Sequence, residues 1–362
     1  MLRKYLDELK NFLKRPPELE ANVVVMPDFF FDRFVSLNFE IEAFSEKVFN
    51  VVKRKGGNLD GISQFEFRGG NAVNTATALA RLGVRVVPII CTNRLGLQLI
   101  KFHLKSPMVD LSHVKIMKKP SITTSLEFKT GDGKANVMLR DLGSLADFGP
   151  NHLSCEDFEA IEKADFVCVF NWAGTKSYGT DLAETVFTRT KKWGRGKTYC
   201  DTADPTPNRA KVKGLIERVL KSGIVDVLSL NENEAVFYGK EMGWMPRENF
   251  ALEDLAREAA RFMASRISSR IDLHTTRFSA TFTNEGETVV SAFKVPVLRA
   301  TGAGDAWNAG NILGSIYGLS DGERLALANA VAAYYISNPE GKHPNARELL
   351  KFLKNIKVNQ NR

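Results

Sequence analysis

Apolar residues occur along the chain in two alternating patterns: short unbroken runs, and longer stretches in which they recur every three or four positions. The run ANVVVMP (21–27) is mostly β-branched and predicts a strand buried on both faces. Further runs, separated by helical periods, predict the strands VRVVPIIC, DFVCVFNWA, KTYCD and VDVLSL. This alternation is typical of an α/β fold with parallel strands joined by helical crossovers. Ligands of such folds bind at the carboxyl edge of the sheet.

Two segments depart from this alternation. In residues 34–68 and 119–142 apolar and polar positions alternate with a period of two, which predicts exposed antiparallel strands joined by loops. The tripeptide GDG (131–133) lies between two such arms, a pattern typical of a β-hairpin. We therefore expect a small β lid, formed by these two segments, inserted into a larger α/β domain. That domain comprises residues 21–33, 69–118 and 143–362.

The two ends of the chain predict further elements. Residues 1–20 form a charged amphipathic helix that is expected to stop at Pro16 and Pro17 and to pack on the surface. After about residue 268 the pattern predicts three strands, IDLHT, SATFTN and TVVSAFKVPV. Helices are then expected near residues 304–318, 321–337 and 345–356.

Composition excludes several classes of protein. A hydrophobic content of 44% in 362 residues is that of a globular protein, which rules out a disordered chain. The formal net charge of +8 favours anionic ligands, but the basic residues are spread over short surface-like runs, so no nucleic-acid partner is expected. Four cysteines without CxxC spacing indicate reduced thiols and no zinc site. Apolar runs are too short to span a membrane and the start is too charged for a signal peptide, so we expect a cytoplasmic protein.

The segment LRATGAGDAWNAGNILGSIYG (298–318) carries the strongest chemical signal. Gly302 and Gly304 precede a helical pattern, and the free N–H groups at such a helix start bind phosphate oxygens. Asp305 lies beside this site, where it could remove a proton from an attacking hydroxyl. The alternative is a plain glycine turn with Asp305 as a helix cap. The spacing matches neither a Walker A motif nor a dinucleotide fingerprint.

A second segment, RGGNAVNTATALARLG (68–83), begins with paired glycines and continues as a helix. Asn71 and Asn74 fall in its first turn, and amide side chains bind hydroxyl groups as donors and as acceptors. This turn therefore suits a polyol ligand. An asparagine-capped helix after a tight glycine turn is the alternative interpretation.

Together the two segments resemble the ribokinase-like (PfkB) family of carbohydrate and nucleoside kinases, with GGNAVN similar to its N-terminal signature and TGAGDAW to its C-terminal signature. The resemblance extends over residues 21–340. It implies a three-layer α/β/α domain with a mostly parallel central sheet and an inserted β lid. It also implies transfer of a phosphoryl group from ATP or ADP, with Mg²⁺, to a hydroxyl of a small carbohydrate.

The resemblance also assigns roles to individual residues. PDFFFD (27–32) occupies the end of the first strand, where family members bind substrate hydroxyls, and LSLNENEA (228–235) resembles the family's Asn-x-x-Glu element. The implied catalytic residues are the base Asp305 and the phosphate-binding Gly302, Ala303 and Gly304. The implied acceptor-binding residues are Asp28, Asp32, Gly69, Gly70, Asn71 and Asn74. Nucleotide contacts are expected from Asn231, Thr301, Gly302 and Gly304, and metal contacts from Asn231 and Glu234.

The chain departs from the family pattern at two places. Arg299 and Ala300 stand where the family usually has Asp-Thr, at a position where it often builds a monovalent-cation site. LHTTRFSA (273–280) lacks the glycine of the family's Thr-x-Gly strand end, which lines the nucleotide pocket. The donor contacts are therefore expected to differ, and both ATP and ADP stay open as donors.

Arginines near the predicted acceptor pocket favour a phosphorylated acceptor. Arg33, Arg68 and Arg94 lie beside Asp32, the glycine pair and a strand end, with Arg140 on the hairpin arm as a further candidate. Arginine binds phosphate through two parallel hydrogen bonds, which favours a sugar phosphate such as ribose 1-phosphate. Neutral sugars or polyols, nucleosides and a non-catalytic ligand-binding protein of the same fold are the alternatives. The lid strands also suit pairing between two subunits of a homodimer.

Overall fold

The computed structural model describes residues 2–14, 20–131 and 133–356. The helices are α1 (Leu2–Lys14), α2 (Ile41–Lys53), α3 (Asn71–Arg81), α4 (Arg94–His103), α5 (Cys155–Lys163), α6 (Gly179–Trp193), α7 (Val212–Leu215), α8 (Glu232–Glu241), α9 (Leu252–Ala264), α10 (Ala303–Ile316), α11 (Asp321–Ile336) and α12 (Ala346–Asn355). A π-helical turn, Ile216–Leu220, continues α7. Among the described residues, every helix is too short or too polar to cross a bilayer.

The strands form one large sheet and two smaller ones. They are β1 (Asn22–Met26), β2 (Phe30–Ser36), β3 (Ser63–Gly69), β4 (Arg85–Pro88), β5 (Cys91–Thr92), β6 (Lys115–Ile116), β7 (Ser121–Thr130), β8 (Gly133–Asp141), β9 (Phe166–Phe170), β10 (Lys197–Asp201), β11 (Val227–Asn231), β12 (Arg270–His274), β13 (Phe278–Thr283) and β14 (Gly286–Ser291). The large sheet has the order β14-β13-β12-β11-β10-β9-β1-β4. It is parallel from β12 to β4, and β13 and β14 are antiparallel, which confirms the predicted α/β class.

Helices cover both faces of this sheet because its central strands are apolar on both sides. In β1, Val23 and Val25 pack into one hydrophobic core with α3, α10 and α11. The alternate residues Val24 and Met26 pack into a second core with α6, α8 and α9. The period of two along the strand thus produces three layers, helix, sheet and helix.

The N-terminal helix packs more deeply than an external appendage. Leu6, Leu9 and Leu13 of α1 are buried in the core that contains α11 and α12. These leucines recur every three or four residues, so they share one face of the helix. The predicted helix end at Pro16 and Pro17 lies outside the described residues.

The second sheet, with the order β3-β2-β7-β8, contains strands from the predicted lid segments. β2 pairs antiparallel with β3 and parallel with β7, and β7 pairs antiparallel with β8. In this register Asp32 lies beside Phe67 and Thr123, and these three residues share one face of the sheet. The central residue of the predicted hairpin turn, Asp132, lies outside the described residues.

The prediction of strands and loops throughout residues 34–68 is wrong over residues 41–53, which form α2. Its apolar residues Ile41, Phe44, Val48 and Val52 recur at helical spacing, a period that the neighbouring two-residue alternation hides. Phe44 packs on the strand residue Phe128 with ring centroids 5.5 Å apart, and this contact holds the helix on the lid sheet. The last predicted strand is also shorter than expected, because β14 ends at Ser291.

Candidate active site

The glycine-rich turn before α10 has a conformation that few other residues could adopt. Gly302 has a φ of 88° and caps the helix. A Cβ at this position would lie 2.5 Å from the hydroxyl oxygen of Tyr335, which donates a hydrogen bond of 3.0 Å to the carbonyl of Thr301. Glycine is thus required by both the backbone angle and the packing. The N–H of Ala303, the first residue of α10, closes this turn by donating a hydrogen bond of 3.1 Å to the carbonyl of Ala300.

Asp28 fixes the start of α3. Its carboxylate accepts hydrogen bonds from the backbone N–H groups of Asn71 (2.9 Å) and Ala72 (2.8 Å), and from Nδ2 of Asn171 (2.8 Å). Burial is complete and raises the pKa of Asp28. The expectation that Asp28 binds the acceptor directly therefore needs correction, because its oxygens hold the helix and do not reach the cavity. Gly70, with a φ of 99°, lets the chain pass within contact of the Asp28 backbone.

Asp305 and the two asparagines of α3 form one hydrogen-bonded cluster. Nδ2 of Asn71 donates to Oδ1 of Asp305 and Nδ2 of Asn74 donates to Oδ2, each at 2.9 Å. The amides predicted to bind acceptor hydroxyls are thus engaged with the carboxylate. Each carboxylate oxygen keeps a second lone pair for an incoming hydroxyl. The cluster orients the carboxylate that we expect to act as the base.

Burial is the main cause of the unusual basicity of Asp305. It raises the pKa of this carboxyl well above its ordinary value, and the nearby charges of Asp201 and Asp28 raise it further. The two asparagine amides act in the opposite direction. A carboxylate with a raised pKa is a stronger base than a solvent-exposed one, as proton removal from an alcohol requires.

A cavity of about 320 Å³ lies between this cluster and the lid. Asp305, Asn71 and Asn74 line one side, and Asp32 and Arg140 line the side formed by the lid sheet. The remaining lining residues are Phe30, Arg33, Phe34, Gly70, Thr123, Ser125, Met138, Asn171, Ala203, Asp204, Thr301, Gly302 and Gly304. The size of the cavity and the carboxylate, amide and hydroxyl groups in its lining suit a small, hydroxyl-rich molecule.

Asp32 points into this cavity from β2. Gly69 makes room for it, because a Cβ at residue 69 would lie 2.0 Å from Oδ2 of Asp32. Gly69 thus shapes the pocket without lining it. Burial raises the pKa of Asp32 to about 6, while a hydrogen bond from Thr123 and the charges of Arg299 and Arg140 lower it.

This raised pKa predicts a pH-dependent affinity for the acceptor. Asp32 is ionised above about pH 6, and below that pH protonation leaves its carboxyl group with fewer oxygens that can accept hydrogen bonds from the substrate. The KM of the phosphoryl acceptor is therefore expected to rise as the pH falls through 6. Steady-state kinetics of wild type and Asp32→Asn across this range isolate the contribution of Asp32, since the variant lacks the titrating group. Identical pH profiles for the two proteins would contradict the assignment.

A stability measurement serves as its control. The folded pKa of about 6 exceeds the ordinary value of 3.8, so the ionised carboxyl destabilises the fold at neutral pH and this penalty disappears as the pH falls. Asp32→Asn should therefore unfold at a temperature no lower than that of wild type at neutral pH. Weakened acceptor binding in the variant then reflects a lost contact and not a damaged fold.

The structure separates the predicted arginines. Arg140 lines the cavity, with its guanidinium 5.2 Å from the ring centroid of Phe30. Arg33 borders the cavity but forms an ion pair with Glu66 at the exposed surface. Strand alternation turns the side chains of Arg33 and Arg68 to the face opposite Asp32. Arg94 is exposed at the start of α4 and does not line the cavity, so the expectation that it faces the acceptor pocket needs correction.

Sequence reasoning did not assign Arg299 to the acceptor side. Its guanidinium lies 4.2 Å from the ring centroid of Phe67 and 5.8 Å from that of Phe34, both on the lid face that carries Asp32. The departure of residues 299–300 from the family pattern was the one available signal. It could not identify the partners, because Arg299 and Phe67 are far apart in the sequence.

A second cavity, of about 700 Å³, lies on the other side of the glycine-rich turn. Most of its lining is apolar, as expected for a site that binds an aromatic base. The lining residues are Glu232, His274, Thr275, Thr276, Ala292, Phe293, Lys294, Val295, Pro296, Val297, Ala300, Ala303, Gly304, Trp307, Asn329, Ala332, Ala333 and Ile336. Gly304 lines both cavities, so the two meet at the start of α10.

Asn231 and Glu234, the predicted metal residues, bond to each other at the start of α8. Nδ2 and the backbone N–H of Asn231 donate to the two carboxylate oxygens of Glu234, at 2.8 Å and 3.0 Å. In return, Oδ1 of Asn231 accepts the N–H of Glu234 at 3.0 Å. Burial raises the pKa of Glu234 well above its ordinary value, and Asp201 raises it further. Neither side chain lines either cavity.

These residues do not fit a metal ion held directly by the protein. In the described ranges, no group of three or more His, Cys, Asp or Glu side chains converges on one point. Mg²⁺ keeps several of its waters and binds readily through substrate phosphates, so an ion that arrives with a nucleotide needs few protein ligands. The predicted requirement for Mg²⁺ stays a prediction.

Comparisons with known proteins bear on the family and on the fold. A model of the family described as pfkB family carbohydrate kinase matches residues 38–347. Ribokinase from Arabidopsis thaliana, solved with ribose and ATP, is similar in structure with a TM-score of 0.70 and 19% identity, over 93% of this chain and 99% of that chain. Ribokinase from Cryptococcus neoformans, solved with ADP, has a TM-score of 0.69 and 17% identity, over 92% of this chain and 99% of that chain. A nucleoside kinase from Methanocaldococcus jannaschii has a TM-score of 0.64 and 15% identity, over 93% of this chain and 99% of that chain. The shared feature is the fold.

Proposed function

Because the chain belongs to the pfkB family of carbohydrate kinases, we propose that it transfers the terminal phosphoryl group of ATP or ADP to a hydroxyl of a small sugar phosphate. The observation that supports this most directly is the pair of cavities that meet at Gly304, with Asp305 on the smaller one. Structural neighbours solved with ATP and with ADP support a nucleotide in the larger cavity. The acceptor then occupies the smaller cavity.

The reaction follows from the groups at this junction. Asp305 accepts the proton of the acceptor hydroxyl while its oxygen attacks the terminal phosphorus of the donor. A new oxygen–phosphorus bond forms, the bond to the bridging oxygen breaks, and the nucleotide leaves with one phosphate fewer. Negative charge on the migrating group is stabilised by the backbone N–H groups of Gly302 and Gly304. The predicted contribution of Ala303 needs correction, because its N–H already donates to the carbonyl of Ala300. The lid sheet covers the acceptor and limits hydrolysis by excluding water.

Two arginines near Asp32 support a phosphorylated acceptor. Within the described part of the chain, neither Arg140 nor Arg299 forms an ion pair or a hydrogen bond with a carboxylate. Both guanidinium groups lie on aromatic rings of the lid sheet. Both charges lower the pKa of Asp32, so both act at the acceptor side of the site. A phosphate on the acceptor would supply these cations with a second anion, besides the carboxylate of Asp32. Ribose 1-phosphate is an acceptor of this class.

Replacing Arg140 with methionine tests this acceptor class. The KM of phosphorylated acceptors is expected to rise about tenfold to 100-fold, because a charge-assisted hydrogen bond is lost. The KM of neutral sugars should stay unchanged, since they lack the anionic group that Arg140 binds. Steady-state kinetics with a sugar phosphate and its unphosphorylated parent give both values. Arg218→Met is the matched control, because that guanidinium pairs with Asp181 and Glu184 and lines neither cavity. An equal loss for both acceptors in Arg140→Met would contradict the proposal.

An acceptor screen with ATP and with ADP tests the proposed function as a whole. Ribose 1-phosphate, other pentose and hexose phosphates, neutral sugars, polyols and nucleosides are each assayed for nucleotide-dependent phosphorylation. Phosphorylation of a sugar phosphate supports the proposal. Preferential phosphorylation of a nucleoside or a neutral sugar would show that the proposed acceptor class is wrong, while the proposed kinase activity would stand. Nucleotide binding with no product from any acceptor would favour the non-catalytic alternative.

A homodimer formed through the lid is also part of the proposal. β8 lies at the edge of the lid sheet and pairs with β7 on one side. Val137, Met138 and Leu139 of this strand are each about half exposed, at 47%, 50% and 55%. An edge strand with exposed apolar residues on both faces can pair with a second copy.

A further inference from the structure

The glycine-rich turn leaves a small notch on the donor side. A Cβ built at Gly304 would lie 3.4 Å from Cε1 and 3.9 Å from Nε2 of His274. Apart from its chain neighbours and the backbone of α10, the described chain places no other atom within 4 Å of that position. The imidazole is therefore the one wall of this notch within 4 Å among the described residues, at the point where the two cavities meet.

His274 is held firmly at this notch. Its ring packs on Trp307, with centroids 4.8 Å apart and planes inclined by 34°. Nε1 of Trp307 donates a hydrogen bond of 2.9 Å to Oδ1 of Asn329, and Nδ2 of Asn329 donates to the carbonyl of Ser291 at 3.2 Å. The imidazole thus rests on a ring that is itself fixed by a buried side chain, and its position is set before any ligand binds.

The imidazole has an unused polar atom. Nε2 of His274 is buried and has no hydrogen-bond partner in the described part of the chain. A buried polar group without a partner is costly, and such groups occur where a ligand supplies the missing partner. Burial also lowers the pKa of His274 to about 4, so the ring is neutral at pH 7. A neutral imidazole carries one N–H donor, which can serve a phosphate oxygen.

We propose that His274 is a donor-binding residue, and that its Nε2–H group donates a hydrogen bond to an oxygen of the donor's phosphate tail beside Gly304. This inference rests on the proposed function, because it places the nucleotide in the larger cavity. The backbone N–H groups at the start of α10 approach the phosphate from one side. His274 supplies a side-chain donor from the opposite wall. The sequence motif that contains it, LHTTRFSA (273–280), is where the chain departs from the family pattern.

Two substitutions separate hydrogen bonding from packing. His274→Phe keeps a ring against Trp307 and removes both nitrogens, whereas His274→Gln keeps an N–H group at the distance of Nε2. Binding of ATP, ADP and adenosine to the intact protein is measured by calorimetry. For His274→Phe we expect ATP and ADP affinities to fall about tenfold to 100-fold, with adenosine affinity unchanged. His274→Gln should recover most of the loss.

The pattern across ligands decides the outcome. A His274→Phe variant that binds ATP and ADP like wild type would overturn the inference, as would an equal loss for adenosine, which lacks the phosphate tail. Thermal unfolding of both variants checks that the fold persists, and His274→Gln supplies the answer if the phenylalanine variant is unstable. The calorimetric measurement needs no acceptor and no turnover. It therefore tests the role of His274 even if no acceptor is phosphorylated. Wild type that binds no nucleotide would refute the proposed function itself.

Discussion

Asp305→Asn is expected to lower kcat by about 10²–10⁴-fold, the range that a positioned general base contributes. The carboxylate is held by Asn71 and Asn74 at 2.9 Å and has a raised pKa, so it is both oriented and basic. Asparagine has nearly the same shape but cannot take the proton. The affinities for nucleotide and acceptor should change much less, because binding uses other groups. Steady-state kinetics together with calorimetric nucleotide titration measure both quantities.

The asparagine variant loses one hydrogen bond to the α3 amides, so its unfolding temperature must be compared with that of wild type. Asp60→Asn provides a matched control with the same chemical change at an exposed lid residue. It should leave kcat unaltered. A value of kcat for Asp305→Asn close to that of wild type, in a folded protein that binds nucleotide, would refute the role of Asp305 as the base.

Arg324→Met is expected to lower the free energy of unfolding by about 3–5 kcal/mol, as when one partner of a buried ion pair is removed. Arg324 is 1% exposed, and its Nη1 lies 2.9 Å from Oδ2 of Asp272, which is fully buried. The same guanidinium bonds to Thr281, at 2.7 Å, and to Asn311 of α10. Methionine would leave Asp272 with Arg270 as its remaining cation.

Equilibrium denaturation measures this effect. Arg257→Met is the matched control, because Arg257 shares Glu287 with Arg261 at the surface. It should change stability by about 1 kcal/mol or less. Adding Asp272→Asn to Arg324→Met removes the buried carboxylate charge that has lost one of its two cations, and it should recover part of the loss. A single Arg324→Met variant as stable as the surface control would show that the buried pair contributes nothing.

Features set by the local backbone could be predicted from the sequence. The glycines before α10 and at the start of α3 are needed for positive φ angles, and such positions are visible in a sequence as paired or spaced glycines. The order of strands and helices followed from apolar runs and helical periods in the same way. Asp305 was identified as the candidate base because it immediately follows the glycine turn that it serves.

Contacts between distant segments could not be predicted. Asn71 and Asn74 were expected to bind hydroxyls, because their partner Asp305 is more than two hundred positions away. The buried oxygens of Asp28 bond to the start of α3 and to Asn171, which are 43 or more positions away in the sequence. Arg94 was assigned to the pocket because it follows a strand end, although it is exposed at the start of α4 and does not line the cavity. Tertiary pairing, not local propensity, decided each of these positions.

The stereochemical course at the transferred phosphorus tests the central claim most directly. A donor whose terminal phosphorus carries three different oxygen isotopes is incubated with the intact enzyme and its acceptor. Direct in-line transfer between the two facing cavities predicts a phosphorylated acceptor with inverted configuration. Retention would require a covalent phosphoenzyme and would contradict a mechanism in which Asp305 only removes a proton. Release of inorganic phosphate with no labelled acceptor would contradict transfer altogether.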